Sequence, residues 1–186
     1  MKIVFMRHSE PQYPDFEKVG LIGFGRDLAA LTPRGIALAR EAAKSPMLDG
    51  AELIVSSPLT RALQTAGIIA SYTGLLIEVE FGLIERRADL SQKLNYAELG
   101  PLYDEYEASR GIWPENERRN WESIEMQHER LKAALDKYLR HSKIIVVSHG
   151  ELGRRLRPGR LDFCGIFEME YTSDFEFLPY SERESV

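Results

Sequence analysis

Two histidines follow two short apolar runs, and their placement predicts a site for anionic chemistry. Residues 2–6 and 143–147 are apolar and rich in β-branched side chains, which is typical of buried strands in a parallel sheet. The first run leads directly into Arg7 and His8, and the second leads through a serine into His149. Ligand sites of open parallel sheets lie outside the carboxyl ends of the strands. We therefore expect these three side chains at one sheet edge, where an arginine and two imidazoles would attract an anion.

The composition is that of an ordinary globular protein, and it disfavours several classes of function. With 186 residues, the chain is long enough for one domain with a substantial core. The net charge of −5 argues against a general nucleic-acid binder, and no apolar run is long enough to cross a membrane. Cys164 is the single cysteine, so an internal disulfide is impossible, and the N-terminus shows no signal-peptide pattern. We expect a cytoplasmic enzyme.

Alternating strand and helix patterns predict an α/β fold with a mostly parallel sheet. Thr32 is a favourable N-cap and Pro33 a favourable first helical residue, so a helix is expected from there to about Lys44. A second helix is expected to begin at Ser57-Pro58 and to end at about Tyr72. The other expected elements are strands at 52–56 and 75–79, a long amphipathic helix over 121–139, a short Arg-rich helix or turn after 149, an edge strand at 165–171 and a further candidate strand at 175–178.

Two stretches lack a clear periodic pattern. Residues 9–31 contain prolines and glycines and are expected to form a loop at the site. Residues 80–119 have no strong periodicity but contain several aromatic side chains. The last residues of the chain are expected to be frayed.

Three segments resemble the signature segments of the histidine phosphatase superfamily, the phosphoglycerate-mutase-like group. They are residues 7–10, 56–66 and 147–150, and they occur in the expected order. Residues 31–35 and 162–166 also resemble the starts of that family's first helix and last strand. The resemblance covers most of the chain. It implies a three-layer α/β/α sandwich with a mostly parallel central sheet, and a site that uses neither a cofactor nor a metal.

The same residues suit phosphoryl transfer through a covalent intermediate. A neutral imidazole is a competent nucleophile at neutral pH, so His8 would attack phosphorus in line and carry the phosphoryl group. Arg7, Arg61 and His149 would bind the phosphoryl oxygens, because arginine offers a fixed charge and a fork of donors. Arg61 lies close to the amino end of its predicted helix, whose dipole adds to the attraction. His149 would add charge if nearby anions keep it protonated.

The leaving alkoxide needs a proton, and two carboxyl groups are candidates to supply it. In the family that the chain resembles, a carboxylic acid donates this proton and then acts as base toward water. The matching position is Glu85, just after the third predicted strand. A carboxyl near a dianionic phosphate should have a raised pKa, as an acid catalyst requires. Glu10 is the rival candidate, because it lies close to His8 in the sequence.

Departures from the family pattern favour a phosphatase over a glycolytic mutase. Ser9 stands where a glycine usually follows the first histidine, and Tyr13-Pro14 stands where the mutase branch has Trp-Asn. Arg86-Arg87 replaces the glycine-rich signature that often follows the acid. The stretch between His149 and the last predicted strand is also shorter than usual.

These features predict a metal-independent phosphomonoesterase that acts through a phosphohistidine at His8 on a small phosphorylated metabolite. The site would belong to a single domain over residues 1–186, with residues 86–119 as a cover. A phosphoglycerate-type phosphomutase and a non-catalytic phosphate-ligand or protein-binding module stay open as alternatives. A metal hydrolase is disfavoured, because only two histidines converge and no carboxylate-rich ligand motif appears. Neither nucleic acid nor membrane is an expected partner, and the sequence indicates no oligomeric state.

The remaining ionisable side chains have structural interpretations. His128 is expected to be a packing or interface residue, and His141 lies at a helix end, where partial positive charge suits the dipole. Cys164 is expected to be a small buried side chain. A solvated basic face is also expected, one member of which could contact an anionic substrate; its residues are Arg154, Arg155, Arg157 and Arg160.

Overall fold

Five strands form the central sheet of the structure, a computed structural model that describes residues 1–180. The strand order is β3-β2-β4-β1-β5. The first four strands in that order are parallel, whereas β5 runs antiparallel to β1 at one edge. The strands are β1 (Lys2–Arg7), β2 (Leu53–Ser56), β3 (Ile77–Val79), β4 (Lys143–Ser148) and β5 (Ile166–Glu170). The predicted mostly parallel α/β sheet and its edge strand are confirmed.

Six α-helices surround the sheet within the described part of the chain. They are α1 (Tyr13–Val19), α2 (Pro33–Ala42), α3 (Thr60–Thr73), α4 (Gly100–Ala108), α5 (Ile124–Leu135) and α6 (Gly150–Leu156). Short 3-10 segments lie at Gly23–Leu28, Pro46–Leu48, Phe81–Leu83, Tyr96–Glu98 and Asp136–Tyr138. Among residues 1–180, none of these helices combines the length and apolar character needed to cross a bilayer.

Alternate residues of each central strand pack on opposite faces of the sheet, which produces the predicted three layers. In β1, Phe5 belongs to the cluster that includes Leu131 of α5, and the adjacent Val4 belongs to the cluster that includes Ala66 of α3. This alternation follows from the two-residue period of a strand. Fully burying one such Leu or Phe side chain stabilises a fold by roughly 1.5–3 kcal/mol. The two clusters therefore fix the sheet from both sides.

Local capping explains where two helices begin. The Thr32 side chain accepts a hydrogen bond from Gly35 N at 2.8 Å, so α2 begins as predicted, although it ends at Ala42. The helix predicted to begin at Ser57-Pro58 begins instead at Thr60. A residue before proline is disfavoured in helical conformation, and Ser57 Oγ accepts from Leu59 N at 3.3 Å. The chain therefore turns once more before α3 starts.

The two stretches without periodicity contain helices, and this corrects the prediction of a loop over 9–31. Helix α1 has no buried residue, and α4 buries Tyr106 alone. A helix without an apolar stripe gives no helical period in the sequence. The segment 80–119 is accordingly irregular in sequence and partly helical in the structure.

Two further boundaries differ from the prediction, and one predicted strand is absent from the described residues. The long amphipathic helix begins later, because the Ser123 side chain caps it by accepting from Met126 N at 3.2 Å. The third strand is shorter, because β3 pairs with β2 alone at the sheet edge. The candidate strand at 175–178 is wrong, since those residues form no strand and the Phe175 and Phe177 side chains pack on the core instead. The frayed end was predicted for residues that lie outside the described part.

Candidate active site

Strand register brings the two motif histidines side by side. In the parallel pair β1 and β4, Arg7 lies opposite Ser148, so the next residues, His8 and His149, leave the sheet together. Their ring centroids are 5.0 Å apart, and both side chains are buried. Arg61, in the first turn of α3, is also buried, and its Nε donates to His8 Nε2 at 3.2 Å. The structure thus brings these three residues together in one cluster.

The hydrogen bonds of His8 leave its Nε2 as the nucleophilic atom. Its Nδ1 lies 2.7 Å from the Ser9 carbonyl oxygen, which can only accept, so Nδ1 carries the proton. The Nε2 lone pair then accepts from Arg61. Burial, followed by the charge of Arg61, lowers the pKa of His8 well below its usual range. The imidazole is therefore neutral at neutral pH, as a nucleophile requires.

His149 is held in place by a serine. Its Nε2 lies 2.8 Å from Ser57 Oγ, while its buried Nδ1 has no hydrogen-bond partner in the described residues. Burial and the charge of Arg61 lower the pKa of His149 well below its usual range. Without a bound anion, the structure therefore favours a neutral His149 ring. If Ser57 donates to Nε2, then Nδ1 carries the proton and can donate it to an anion.

The backbone after His8 is locked by α2 and α3. Thr65 Oγ of α3 accepts from Ser9 N at 3.0 Å, and Ser9 Oγ donates to the Gly35 carbonyl at 2.6 Å. The Ser9 hydroxyl therefore binds backbone rather than substrate. Gly35 is required at this contact, because a Cβ there would lie 2.4 Å from the Glu10 carbonyl oxygen. The absence of a side chain at Gly35 thus permits the close backbone contact that positions His8.

The structure separates the two candidate carboxyl groups. Glu85 lines the same cavity as Arg7 and Arg61, and its Oε1 accepts from the next backbone amide at 3.0 Å. Removal from bulk water, followed by the charge of Glu151, raises the pKa of Glu85. The predicted direction of the pKa shift is confirmed, and burial and Glu151 already produce it without a bound phosphate.

Glu10, the rival candidate, has structural partners instead. Its Oε2 accepts from Thr32 Oγ at 2.7 Å, and its Oε1 accepts from Arg34 Nη1 at 2.9 Å. Glu10 does not line the cavity. The geometry therefore favours Glu85 over Glu10 as a group that meets a substrate.

A positioned arginine fixes the segment that carries Glu85. Arg130 of α5 donates from Nη1 to the carbonyl oxygens of Gly82 and Ile84, at 2.6 and 2.8 Å. Its Nε donates to the fully buried Glu122 at 2.7 Å. Charge-assisted bonds of this kind are stronger than neutral ones. The acid therefore sits on an anchored turn.

A cavity of about 720 Å³ opens above this cluster. Arg7, Arg61 and Glu85 line it together with aromatic and apolar side chains, among them Tyr13, Phe24, Tyr96, Leu99 and Tyr103. The two histidines are buried against Arg61 and do not themselves line the cavity. Asp27 accepts from Arg61 Nη1 at 2.6 Å, so an anion that reaches His8 has to compete with this carboxylate for the guanidinium.

Comparison with known protein families identifies the superfamily. The family model described as histidine phosphatase superfamily (branch 1) matches residues 3–161. The chain belongs to this superfamily. None of the curated proteins compared with the chain matches it.

Solved structures of phosphatases share the fold. The alpha-ribazole phosphatase from Shigella flexneri is 23% identical, with a TM-score of 0.68, and the match covers 100% of this chain and 99% of that one. A mycobacterial glucosyl-3-phosphoglycerate phosphatase complexed with VO3 is 21% identical, with a TM-score of 0.69 and coverage of 91% and 92%. At this level of identity, the comparison shows a common fold.

Several residues that line the cavity of this histidine phosphatase superfamily member could not be identified from the sequence. Asp27 lies in the stretch without periodicity, and nothing in the sequence indicated its contact with Arg61. The predicted solvated basic face is wrong in part. Arg154 and Arg160 line the cavity and Arg155 is buried, whereas Arg157 is exposed. The arginine-rich composition after His149 was the available signal.

The remaining predicted residues lie outside the cavity. His128 stacks on Phe177 with ring centroids 5.4 Å apart, so its packing role is confirmed. His141 Nδ1 lies 2.7 Å from a Glu52 carboxylate oxygen. Cys164 is half-buried rather than buried, and its φ of 57° is left-handed. Within residues 1–180, no group of three or more histidine, cysteine or carboxylate side chains is arranged as a metal site.

Proposed function

We propose that the chain is a metal-independent phosphomonoesterase that acts through a phosphohistidine at His8. The observation that carries the proposal is the state of His8, a neutral imidazole with its proton on Nδ1 and its Nε2 facing Arg61. Such a ring can attack phosphorus without first losing a proton. The phosphatases of the same fold, one of them complexed with VO3, support the proposal.

The first step forms the covalent intermediate. Arg7, Arg61 and the Nδ1–H group of His149 bind the non-bridging oxygens of the phosphoryl group and stabilise the charge that develops there. Nε2 of His8 forms a bond to phosphorus as the bond to the ester oxygen breaks. The carboxyl of Glu85 donates its proton to the departing oxygen. The alcohol leaves, and Glu85 becomes a carboxylate.

The second step returns the enzyme to its starting state. The Glu85 carboxylate takes a proton from water as the water oxygen bonds to phosphorus. The phosphorus–Nε2 bond breaks and its electron pair returns to Nε2. His8 is then a neutral imidazole again, with its proton still on Nδ1 and hydrogen-bonded to the Ser9 carbonyl oxygen. Inorganic phosphate leaves. Glu85 is protonated for the next cycle, which its raised pKa favours.

The segment 86–119 fits the role of a cover over a small phosphorylated metabolite. Ala88, Leu94, Leu99 and Tyr103 of this segment line the cavity that Arg7, Arg61 and Glu85 also line. Partial enclosure by such a cover strengthens the electrostatic contacts between the arginines and the phosphoryl group. We further propose that it belongs to one domain spanning residues 1–186 in a cytoplasmic protein, which the lone Cys164 favours.

The test uses the purified full chain with p-nitrophenyl phosphate in the presence of a chelator. We expect turnover without divalent metal, and, after an alkaline quench that preserves the acid-labile phosphorus–nitrogen bond, a mass spectrum with one phosphoryl group on the peptide that contains His8. His8→Asn should lose both signals. The matched control is His128→Asn, which removes a histidine that stacks on Phe177 outside the cavity.

Two outcomes contradict the proposal. One is a His8→Asn rate within tenfold of the parent, which is a barrier change of only ~1.4 kcal/mol. The other is activity that the chelator abolishes and a divalent ion restores.

A further inference from the structure

Arg86 is a buried cation in the cavity wall that lacks an anionic partner among residues 1–180. Its side chain is 6% exposed, and neither Nε nor Nη1 has a hydrogen-bond acceptor. The guanidinium carbon instead lies 4.0 Å from the ring centroid of Tyr106 and 5.0 Å from that of Tyr103. Arginine stays charged in proteins, and a buried charge without a counter-ion is unfavourable. A ligand anion would supply the missing partner.

Four of the other arginines that line the cavity already have carboxylate partners. Arg26 pairs with Glu17 at 2.7 Å, Arg61 with Asp27 at 2.6 Å, and Arg87 with Glu122 at 3.3 Å. Arg154 lies 3.5 Å from Glu151. The adjacent residues Arg86 and Arg87 therefore differ, because Arg87 forms an ion pair with the buried carboxylate of Glu122 and Arg86 has no such partner among residues 1–180.

A second cation lies at the rim of the same cavity. Arg160 is exposed and lines the cavity together with Arg7. Burial lowers the pKa of the Arg7 guanidinium, and the nearby charge of Arg160 lowers it further. Like charges gathered around one cavity raise the local concentration of anions.

We propose that Arg86, assisted by Arg160, forms a second anion subsite, and that the substrate carries a carboxylate or a second phosphate besides the phosphoryl group that is removed. This proposal rests on the proposed function, which places the reacting phosphorus at His8. Arg86 directly follows Glu85, the proposed donor to the departing oxygen. The second anion therefore belongs to the leaving group. A cavity of about 720 Å³ has room for both ends of such a molecule.

Calorimetric binding of phosphonoalkanoic acids tests the subsite without requiring turnover. Chains with two to five methylenes are compared with the matching primary amides, which keep the phosphonate and remove the second charge. For the best chain length, we expect the acid to bind at least about tenfold more tightly than its amide, as a charge-assisted hydrogen bond predicts. Bisphosphonates of the same lengths distinguish a second phosphate from a carboxylate.

The variants assign this preference to residues. Arg86→Gln should reduce the ratio of acid to amide affinity to less than about threefold, and Arg160→Gln should reduce it by a smaller factor. Arg157→Gln removes the same charge from an exposed position that does not line the cavity, and it should keep the full ratio. Circular dichroism and thermal unfolding check that each variant retains its fold.

The subsite and the proposed function fail in different ways. If neither the acids nor the bisphosphonates bind the parent protein better than the amides at any length, or if a folded Arg86→Gln keeps the full ratio, the subsite is refuted. The parent measurement decides the matter even if Arg86→Gln does not fold. A clear anion preference without hydrolysis of p-nitrophenyl phosphate would leave the subsite standing and refute the phosphatase alone.

Discussion

His8 is prepared for attack by the two groups that contact its ring nitrogens. The Ser9 carbonyl fixes the proton on Nδ1, and Arg61 faces Nε2. The ring is therefore oriented before a substrate binds. Glu85 complements it, because burial raises the pKa of this carboxyl at the same cavity, which favours the protonated form that a proton donor needs. A neutral nucleophile and a carboxyl group with a raised pKa together suit phosphoryl transfer to His8.

Glu85→Gln should slow alkyl phosphates strongly, by roughly 10²–10⁴-fold, because it removes the proton donor from a poor leaving group. Aryl phosphates should lose less in the first step, since a phenolate departs with less help. Rapid-quench kinetics with both substrate types separate phosphorylation of the enzyme from its hydrolysis.

Glu10→Gln is the matched control for Glu85→Gln. Its carboxylate binds Thr32 and Arg34 and does not line the cavity, so a moderate loss of stability is expected with no selective loss on alkyl phosphates. If Glu10→Gln abolishes alkyl-phosphate hydrolysis while Glu85→Gln preserves it, the proton donor has been assigned to the wrong carboxylate.

The pH profile should depend on Glu151. Glu85 acts as an acid only while protonated, so kcat/KM for an alkyl phosphate should fall as pH rises through its raised pKa. The negative charge of Glu151 raises that pKa, second only to burial. Glu151→Gln should therefore move this limb to lower pH. Asp104→Asn, an equal charge change at an exposed position on α4, should leave it in place. An unchanged limb in Glu151→Gln would contradict the coupling.

At the scale of elements, α5 anchors the turn that carries Glu85. The Arg130 guanidinium donates hydrogen bonds to two carbonyl oxygens of that turn and to the buried carboxylate of Glu122. Glu122 also accepts from Arg87 N at 3.0 Å. The position of the acid therefore depends on a buried ion pair rather than on a strand, since β3 has already ended.

Arg130→Met should destabilise the fold by about 3–5 kcal/mol, because it leaves the Glu122 carboxylate buried with less compensation. Adding Glu122→Gln to Arg130→Met should recover part of this loss. Arg119→Met is the control, since its ion pairs with Glu105 and Glu117 are largely solvated and should be worth about 0–1 kcal/mol. Urea unfolding measures all four proteins. A loss for Arg130→Met no larger than that for Arg119→Met would contradict the anchoring role.

Elements with a buried face could be predicted from the sequence, and elements without one could not. The apolar runs of β1 and β4 predicted both the parallel sheet and the meeting of His8 with His149. Helix α1 has no buried residue, so the sequence contains no apolar helical pattern that predicts it. The contact between Asp27 and Arg61 depends on where the irregular segment after α1 lies against α3. Such contacts are set by tertiary packing, which leaves no local period to detect.

At the scale of the whole molecule, the charge of the cavity lining is opposite in sign to the net charge of the chain. The chain has a net charge of −5, yet the cavity is lined by more arginines than carboxylates. The arginines are Arg7, Arg26, Arg61, Arg86, Arg87, Arg154 and Arg160. The net charge keeps the surface generally unattractive to anions such as nucleic acids, while the cavity concentrates small ones.

This distribution predicts a salt dependence of KM. The screening length falls from about 10 Å at 0.1 M salt to about 3 Å at 1 M, so attraction of a dianionic substrate to the cavity weakens. Raising sodium chloride through this range should increase KM for p-nitrophenyl phosphate several-fold with little change in kcat. Salt screens the long-range attraction of the free substrate to the cavity more than it screens the short contacts of the bound substrate. Arg160→Gln, at the exposed rim, should show a shallower dependence than the parent, and Arg157→Gln, outside the cavity, should match the parent. Equal slopes in all three proteins would mean that the rim charge does not attract the substrate.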